Sequence, residues 1–160
     1  MKKMLRVALA AALLAAGAHA AALTVTTTFP VSATVAASCQ VTATALAFPN
    51  YDAIAGAAVD GQSALTVTCT KASPYTIALD AGANSALATA GARAMVSGAN
   101  HLDYNLFSDV GRTTLWGGAT TVAGTGTGLA QTVNVYGRIP AGQNVPALTY
   151  NDTVTVTVNF

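Results

Sequence analysis

Residues 149–160 read "TYNDTVTVTVNF". From residue 153 to residue 158 threonine and valine alternate without a break, the period-2 pattern of a half-buried strand. Tyr150, Val154, Val156, Val158 and Phe160 fall on one side and the threonines on the other. Such a strand has two backbone edges to satisfy and an apolar face to cover. The alternation runs to Phe160, so the expectation is a final strand with no follower, in a sheet that lacks its last member.

The same period recurs upstream. "SALTVTCT" (63–70) puts Leu65, Val67 and Cys69 on one face and Thr66, Thr68 and Thr70 on the other, and "PYTIALD" (74–80) repeats the pattern with Tyr75, Ile77 and Leu79. "LDYNLFSD" (102–109), "RTTLWG" (112–117) and "AQTVNVYGRI" (130–139) are further strand candidates. Turn formers separate them: Pro49-Asn50, Asp60-Gly61, Asp80-Ala81-Gly82, Gly98-Ala99-Asn100, Gly117-Gly118 and Pro140-Ala141-Gly142. Helix signals are nearly absent, because Glu does not occur and alanine does not recur at a 3.6 period. The pattern predicts an all-β, antiparallel, immunoglobulin-like sandwich with about six strands of its own. Residues 81–93 and 117–128, poor in large apolar side chains, are expected to be surface loops.

The chain opens "MKKMLRVALAAALLAAGAHA". Three basic residues, a short apolar run and the small-x-small sequence Ala18-His19-Ala20 predict a secretory signal peptide over residues 1–20. The run is too short for a membrane span of about 20 residues. Cleavage would leave one domain's worth of chain. Removing Lys2, Lys3 and Arg6 from the seven basic residues leaves four against six Asp, a net charge of −2, with no basic patch to neutralise phosphates. That balance argues against nucleic acid as a partner. In an exported chain the even pair Cys39 and Cys69 favours one disulfide over two buried thiols.

Between the signal and Cys39 lies "AALTVTTTFPVSATVAASC". From residue 23 to residue 35 its odd positions Leu23, Val25, Phe29, Val31, Ala33 and Val35 are apolar, interrupted by Thr27, and its even positions are Thr, Ser or Pro. A strand from Leu23 to Val35 would run to about 40 Å, twice the usual length. Pro30 lacks an amide donor and divides the stretch, giving an extension over residues 21–30 and a domain over residues 31–160 whose first strand leads through Val35 into Cys39 and Val41. A surplus strand at one end and a strand short of a partner at the other suggest that one fills the gap beside the other. Done between molecules, such filling is heterologous and generates a filament. The competing reading is an ordinary first strand with a signal-proximal tail.

Taken together, "VSATVAASCQV", "LTVTCT", "PYTIALDAG", "LDYNLFSD..RTTLWG", "VYGRIPAGQ" and "YNDTVTVTVNF" resemble the spore coat protein U domain family, which includes major subunits of archaic chaperone–usher pili of the Csu type. The resemblance implies an incomplete immunoglobulin-like pilin lacking its last strand, with an N-terminal donor-strand extension. Its implied partners are a periplasmic pilus chaperone, an outer-membrane usher, and other copies of itself or related pilins. Leu23, Val25, Thr27, Phe29 and Val31 would be the donor side chains. Cys39 and Cys69 would form the family disulfide between the first two strands. Val154, Val156, Val158 and Phe160 would line the acceptor groove, with the Phe160 carboxylate an anchor for basic chaperone residues. The implied location is the periplasm in transit and then a surface fibre serving adhesion and biofilm formation.

Catalytic chemistry has little to draw on. His101 is the single histidine beyond the signal, no nucleophile motif accompanies it, and no His or Cys spacing suits a metal. Neither a catalytic residue nor a cofactor is expected. "GTGTG" (124–128) does not lead from a strand into a helix and reads as a loop. Trp116, Tyr104 and Phe107 could form a sugar-binding surface, but in a sandwich such residues are usually core. The alternative function is a secreted coat or ligand-binding protein that completes its own sandwich and does not polymerise.

Overall fold

The computed structural model describes residues 22–88 and 93–160; the expected signal peptide at 1–20 lies outside the described residues. The chain divides into two units, residues 1–34 and 35–160. In the first, residues 22–34 form neither strand nor helix. Leu23 and Val25 are each 95% exposed, and Phe29 and Val31 are also exposed.

The second unit is all-β. Its strands are β1 (Cys39–Ala43), β2 (Val59–Cys69), β3 (Pro74–Leu79), β4 (Arg93–Ser97), β5 (Asn100–Phe107), β6 (Val122–Thr125), β7 (Gln131–Ile139) and β8 (Val156–Asn159). They form a five-stranded sheet in the order β1-β2-β7-β5-β4 and a three-stranded sheet in the order β6-β3-β8, and every pairing is antiparallel. Leu65, Val67 and Cys69 of β2 meet Tyr75, Ile77 and Leu79 of β3 in one core with Leu102, Tyr104, Leu106, Trp116, Val135 and Ile139. This is the sandwich that the alternation predicts, since each strand buries one parity. The aromatic residues belong to that interior: Trp116, Tyr104 and Phe107 are all buried, which removes the sugar-binding surface from consideration.

Four local expectations are corrected. Residues 112–117, expected as a strand, contribute only a single bridge, Phe107 to Leu115. The Asp109 carboxylate accepts from the amides of Thr113 and Thr114 and from the Thr113 hydroxyl, and that folds the segment into a turn. Residues 117–128, expected as a loop, contain β6, paired with β3. Its small side chains are what the packing requires, because a Cβ on Gly124 would lie 2.4 Å from the ring of Tyr75. At the end of the loop expected over 81–93, Arg93 is instead the buried first residue of β4. The first strand is shorter than the sequence suggests, starting at Cys39 with Val35 exposed. Among the described residues the sandwich therefore has eight strands, the two not read from the sequence, β4 and β6, being short.

Arg93 links the two sheets. From β4 its Nε and Nη2 donate to the carbonyl of Asp80, just beyond β3, and Nη2 also donates to the carbonyl of Trp116. A guanidinium suits this place because its planar fork serves two carbonyls at once. The Trp116 indole in turn donates to the Ile77 carbonyl at 3.2 Å. The Asp80 carboxylate accepts from the amides of Gly82 and Thr155, each at 2.9 Å, and the Asp80 amide donates to the Thr155 carbonyl. Thus the approach to β8 is tied to the end of β3. Earlier in the segment, Asn151 bridges to Val96 of β4, so residues 151–159 pass from the edge of one sheet onto the other.

Two predictions follow from these ties. Cys39 and Cys69 are bonded across directly paired positions of β1 and β2, 30 residues apart in sequence. Replacing both by alanine should lower stability by about 3 kcal/mol on the chain-entropy model, seen as a fall of about 10 °C in the thermal midpoint. The second concerns acid. Partial burial alone would raise the Asp80 pKa, but the bonds from Thr155 and Gly82 and the nearby Arg93 charge outweigh it and hold the group below the usual carboxylate range. Asp60, bonded by Arg138, and Asp109, bonded by the Thr114 and Thr113 amides, are lowered too. A lowered folded pKa gives stability that is present above the unfolded value and lost as pH falls through the folded one. The thermal midpoint should stay level from neutral pH to about 5 and decline below about 4. Asp80→Asn should flatten part of that decline; an unchanged acid profile would show that Asp80 contributes nothing to it.

Candidate functional site

Beside the C-terminal segment the second unit holds an apolar groove of about 450 Å³. Tyr150, Asp152, Val154 and Val156 line it on the C-terminal side, and Ala43, Leu46 and Phe48 line it on the side of the β1–β2 connection. The core residues Leu65, Leu79, Leu106 and Val135 lie at its base. Asn151 and Thr153 also border it, but the apolar contributors from this segment, Tyr150, Val154 and Val156, are of even parity, the parity that packs against the core.

The sequence-derived candidates are distributed as follows. Val154 and Val156 line the groove; Val158 packs against the core, paired with Ile77, and is not in the groove lining. Phe160 is 60% exposed and also outside the lining. Leu23, Val25, Thr27, Phe29 and Val31 lie exposed in the other unit. Cys39 and Cys69 are joined as described. Among the described residues no group of three His, Cys, Asp or Glu side chains could hold a metal ion.

Three groove residues were not apparent from the sequence. Leu46 and Phe48 alternate with alanines just before Pro49, a short period-2 signal hidden by the turn that follows. In the fold they lie over the glycines of the neighbouring strands: a Cβ on Gly137 would come within 2.7 Å of Phe48 and within 3.0 Å of Leu46, and Gly61 is similarly close to both. The Phe48 ring meets Tyr104 edge-on at 6.1 Å between centroids. The third is Asp152, which shares the parity of the valines and is the charged side chain among the described lining residues. Its Oδ2 accepts from the Tyr104 hydroxyl at 2.7 Å and its Oδ1 from the Asn84 amide at 2.9 Å. Burial, with the Asp152 carboxylate adding to it, pushes the Tyr104 hydroxyl far above the usual tyrosine range. The hydroxyl therefore stays protonated and remains the donor of this pair.

Among the described residues the lining is largely apolar, with Asp152 as its charged side chain. It can take an extended apolar segment, with a polar point at the Asp152 level and hydrophobic depth beside Val154 and Val156.

Comparison with known proteins agrees with this geometry. Residues 25–157 match the Spore Coat Protein U domain. Protein U of Myxococcus xanthus is 37% identical, in an alignment covering 94% of this chain and 93% of that protein. Among solved structures, a chain in the crystal structure of the CsuC–CsuE chaperone–tip adhesion subunit pre-assembly complex, from the archaic chaperone–usher Csu pili of Acinetobacter baumannii, superposes with a TM-score of 0.57 at 27% identity. That match covers 79% of this chain and spans 40% of the other. With the family match spanning most of the sequence and a relative this similar along nearly its whole length, the chain belongs to the Spore Coat Protein U domain family.

Proposed function

We propose that this protein is a structural subunit of a surface fibre, assembled by the chaperone–usher pathway through donor-strand exchange. The observation that carries the reading is the pairing of an apolar groove beside Val154 and Val156 with an exposed row of the right chemistry at Leu23, Val25, Phe29 and Val31. In this reading residues 1–20 direct export, residues 21–30 form the extension, and the extension of one copy enters the groove of another. A periplasmic chaperone holds the groove until an outer-membrane usher exchanges it for the next subunit. Likeness to a chain of a chaperone–tip subunit complex supports the chaperone's part. Adhesion and biofilm formation would be properties of the completed fibre. A structural role, not catalysis, fits both the family and the site.

Burying four such side chains contributes on the order of 6 to 12 kcal/mol gross, before the cost of ordering the segment. This is comparable to the stability of a whole domain, so exchange into the groove would give a durable contact.

The likeness to Protein U over nearly its full length keeps a second reading in view, a secreted coat protein that completes its own sandwich and stays monomeric. Deleting residues 21–30 separates the two. A fibre subunit so truncated should still be recovered with its chaperone but should form no polymer on size-exclusion chromatography or in electron micrographs. Fibres of normal length from the truncated chain would overturn donor-strand exchange. A stable monomer of the full mature chain, indifferent to an added peptide of residues 23–35, would favour the coat-protein reading.

A further inference from the structure

The apolar row of the extension and the apolar row beside the groove each contain one interruption. In the extension it is Thr27, set among Leu23, Val25, Phe29 and Val31; along the groove it is Asp152, set among Tyr150, Val154 and Val156. We propose that these interruptions set the register: the Thr27 hydroxyl of one copy donates to the Asp152 carboxylate in the groove of the next. This inference rests on the donor-strand reading above and specifies it.

The spacing supports the match in either strand direction. Both rows advance two residues at a time, about 6.6 to 6.8 Å per step, so aligning the two polar positions aligns every other pair. Val25 and Phe29 then fall at the levels of Val154 and Tyr150, in one order or the other. A shift by one step would place an apolar side chain against the carboxylate. It would also place the Thr27 hydroxyl against Val154, or against Tyr150, whose own hydroxyl already donates to the Pro146 carbonyl, so the Thr27 hydroxyl would lose the carboxylate as acceptor.

Asp152 has the capacity to receive the bond. A carboxylate offers about four acceptor positions, and Tyr104 and Asn84 occupy two. The hydroxyls on the opposite side of the groove are committed elsewhere. Thr44 Oγ1 donates to the Ala64 carbonyl and accepts from the Ala64 amide, and Ser63 Oγ, 3.0 Å from Thr44 Oγ1, donates to the Thr44 carbonyl, so both hydroxyl hydrogens are used.

Thr27→Val in the full chain is the decisive variant, because valine keeps the shape and loses the hydroxyl. It alters an exposed residue outside the sandwich unit, so the domain's own fold is not at stake. If the groove reads only hydrophobicity, valine should tighten the contact. If Asp152 reads the hydroxyl, fibres of the Thr27→Val chain should dissociate in denaturant about ten-fold faster than wild type, and Thr27→Ser should restore most of the difference. The ten-fold loss should shrink when the groove carries Asp152→Asn, a coupling measured as a double-mutant cycle. Thr27→Val fibres that dissociate at the wild-type rate or more slowly would overturn the register while leaving donor-strand exchange intact. Failure of the wild-type chain to form any fibre would overturn donor-strand exchange itself.

Discussion

A buried guanidinium holds this sandwich in the form that makes its groove. Arg93 stands at the start of an edge strand of the five-stranded sheet, yet its hydrogen bonds go to the carbonyls of Asp80 and Trp116. Asp80 closes β3 of the other sheet, and its own amide and carboxylate reach Thr155 at the approach to β8. The chain of contacts therefore runs from one sheet through the other to the C-terminal segment. Breaking it at Arg93 would leave the buried Trp116 carbonyl without its donor, a cost of about 1 to 3 kcal/mol for such a group, and would release the Asp80 carbonyl from the guanidinium. The guanidinium is also nearly sealed from solvent, so its own desolvation makes the complete set of partners a requirement.

The groove is a consequence of that placement. Residues 150–156 lie where they can pair on the β4 side through Asn151 and on the β3 side through β8, with their even side chains turned inward. Phe48 and Leu46 approach from the β1–β2 connection over two glycines, whose missing Cβ atoms give the aromatic ring room to lie against the sheet. An apolar channel is left between these two margins, with the core residues of both sheets at its base. The Tyr104–Asp152 bond gives that channel a fixed polar position. In the donor-strand exchange proposed above, apolar burial would supply most of the attraction for the incoming segment. A single hydrogen-bonding position among apolar ones supplies discrimination between registers, because strand pairing otherwise slips in steps of two with little penalty.

How much of this could be read from residues alone depended on the local environment of each strand. β2, β3, β7 and β8 are half-buried, so threonines facing out and valines or leucines facing in wrote the period plainly. β4 and β6 did not show, for opposite reasons. β4 begins with a charged residue that is nonetheless buried, because its partners are backbone carbonyls distant in sequence. β6 is short of apolar side chains because a tyrosine from β3 already occupies the space. "RTTLWG" looked like a strand because Leu115 and Trp116 are apolar. Asp109 gathers the preceding threonine amides, however, and turns the segment before it can pair for more than one residue.

The amino-acid sequence determined parity, the antiparallel all-β class and the polar interruptions at Thr27 and Asp152, since the pleat alternates side chains wherever a strand forms. It also carried the family, through motifs spread along most of its length. Only the tertiary structure decided that these valines had a groove to line, which residues form its other margin, and that a half-buried carboxylate bonded to a buried phenol stands within it. Those outcomes depend on hydrogen bonds between residues far apart in the chain, Arg93 with Asp80 and Trp116, Asp152 with Tyr104 and Asn84. Side-chain alternation is a local property of the backbone, whereas a groove is the space between elements and exists only once distant elements have been fixed against each other.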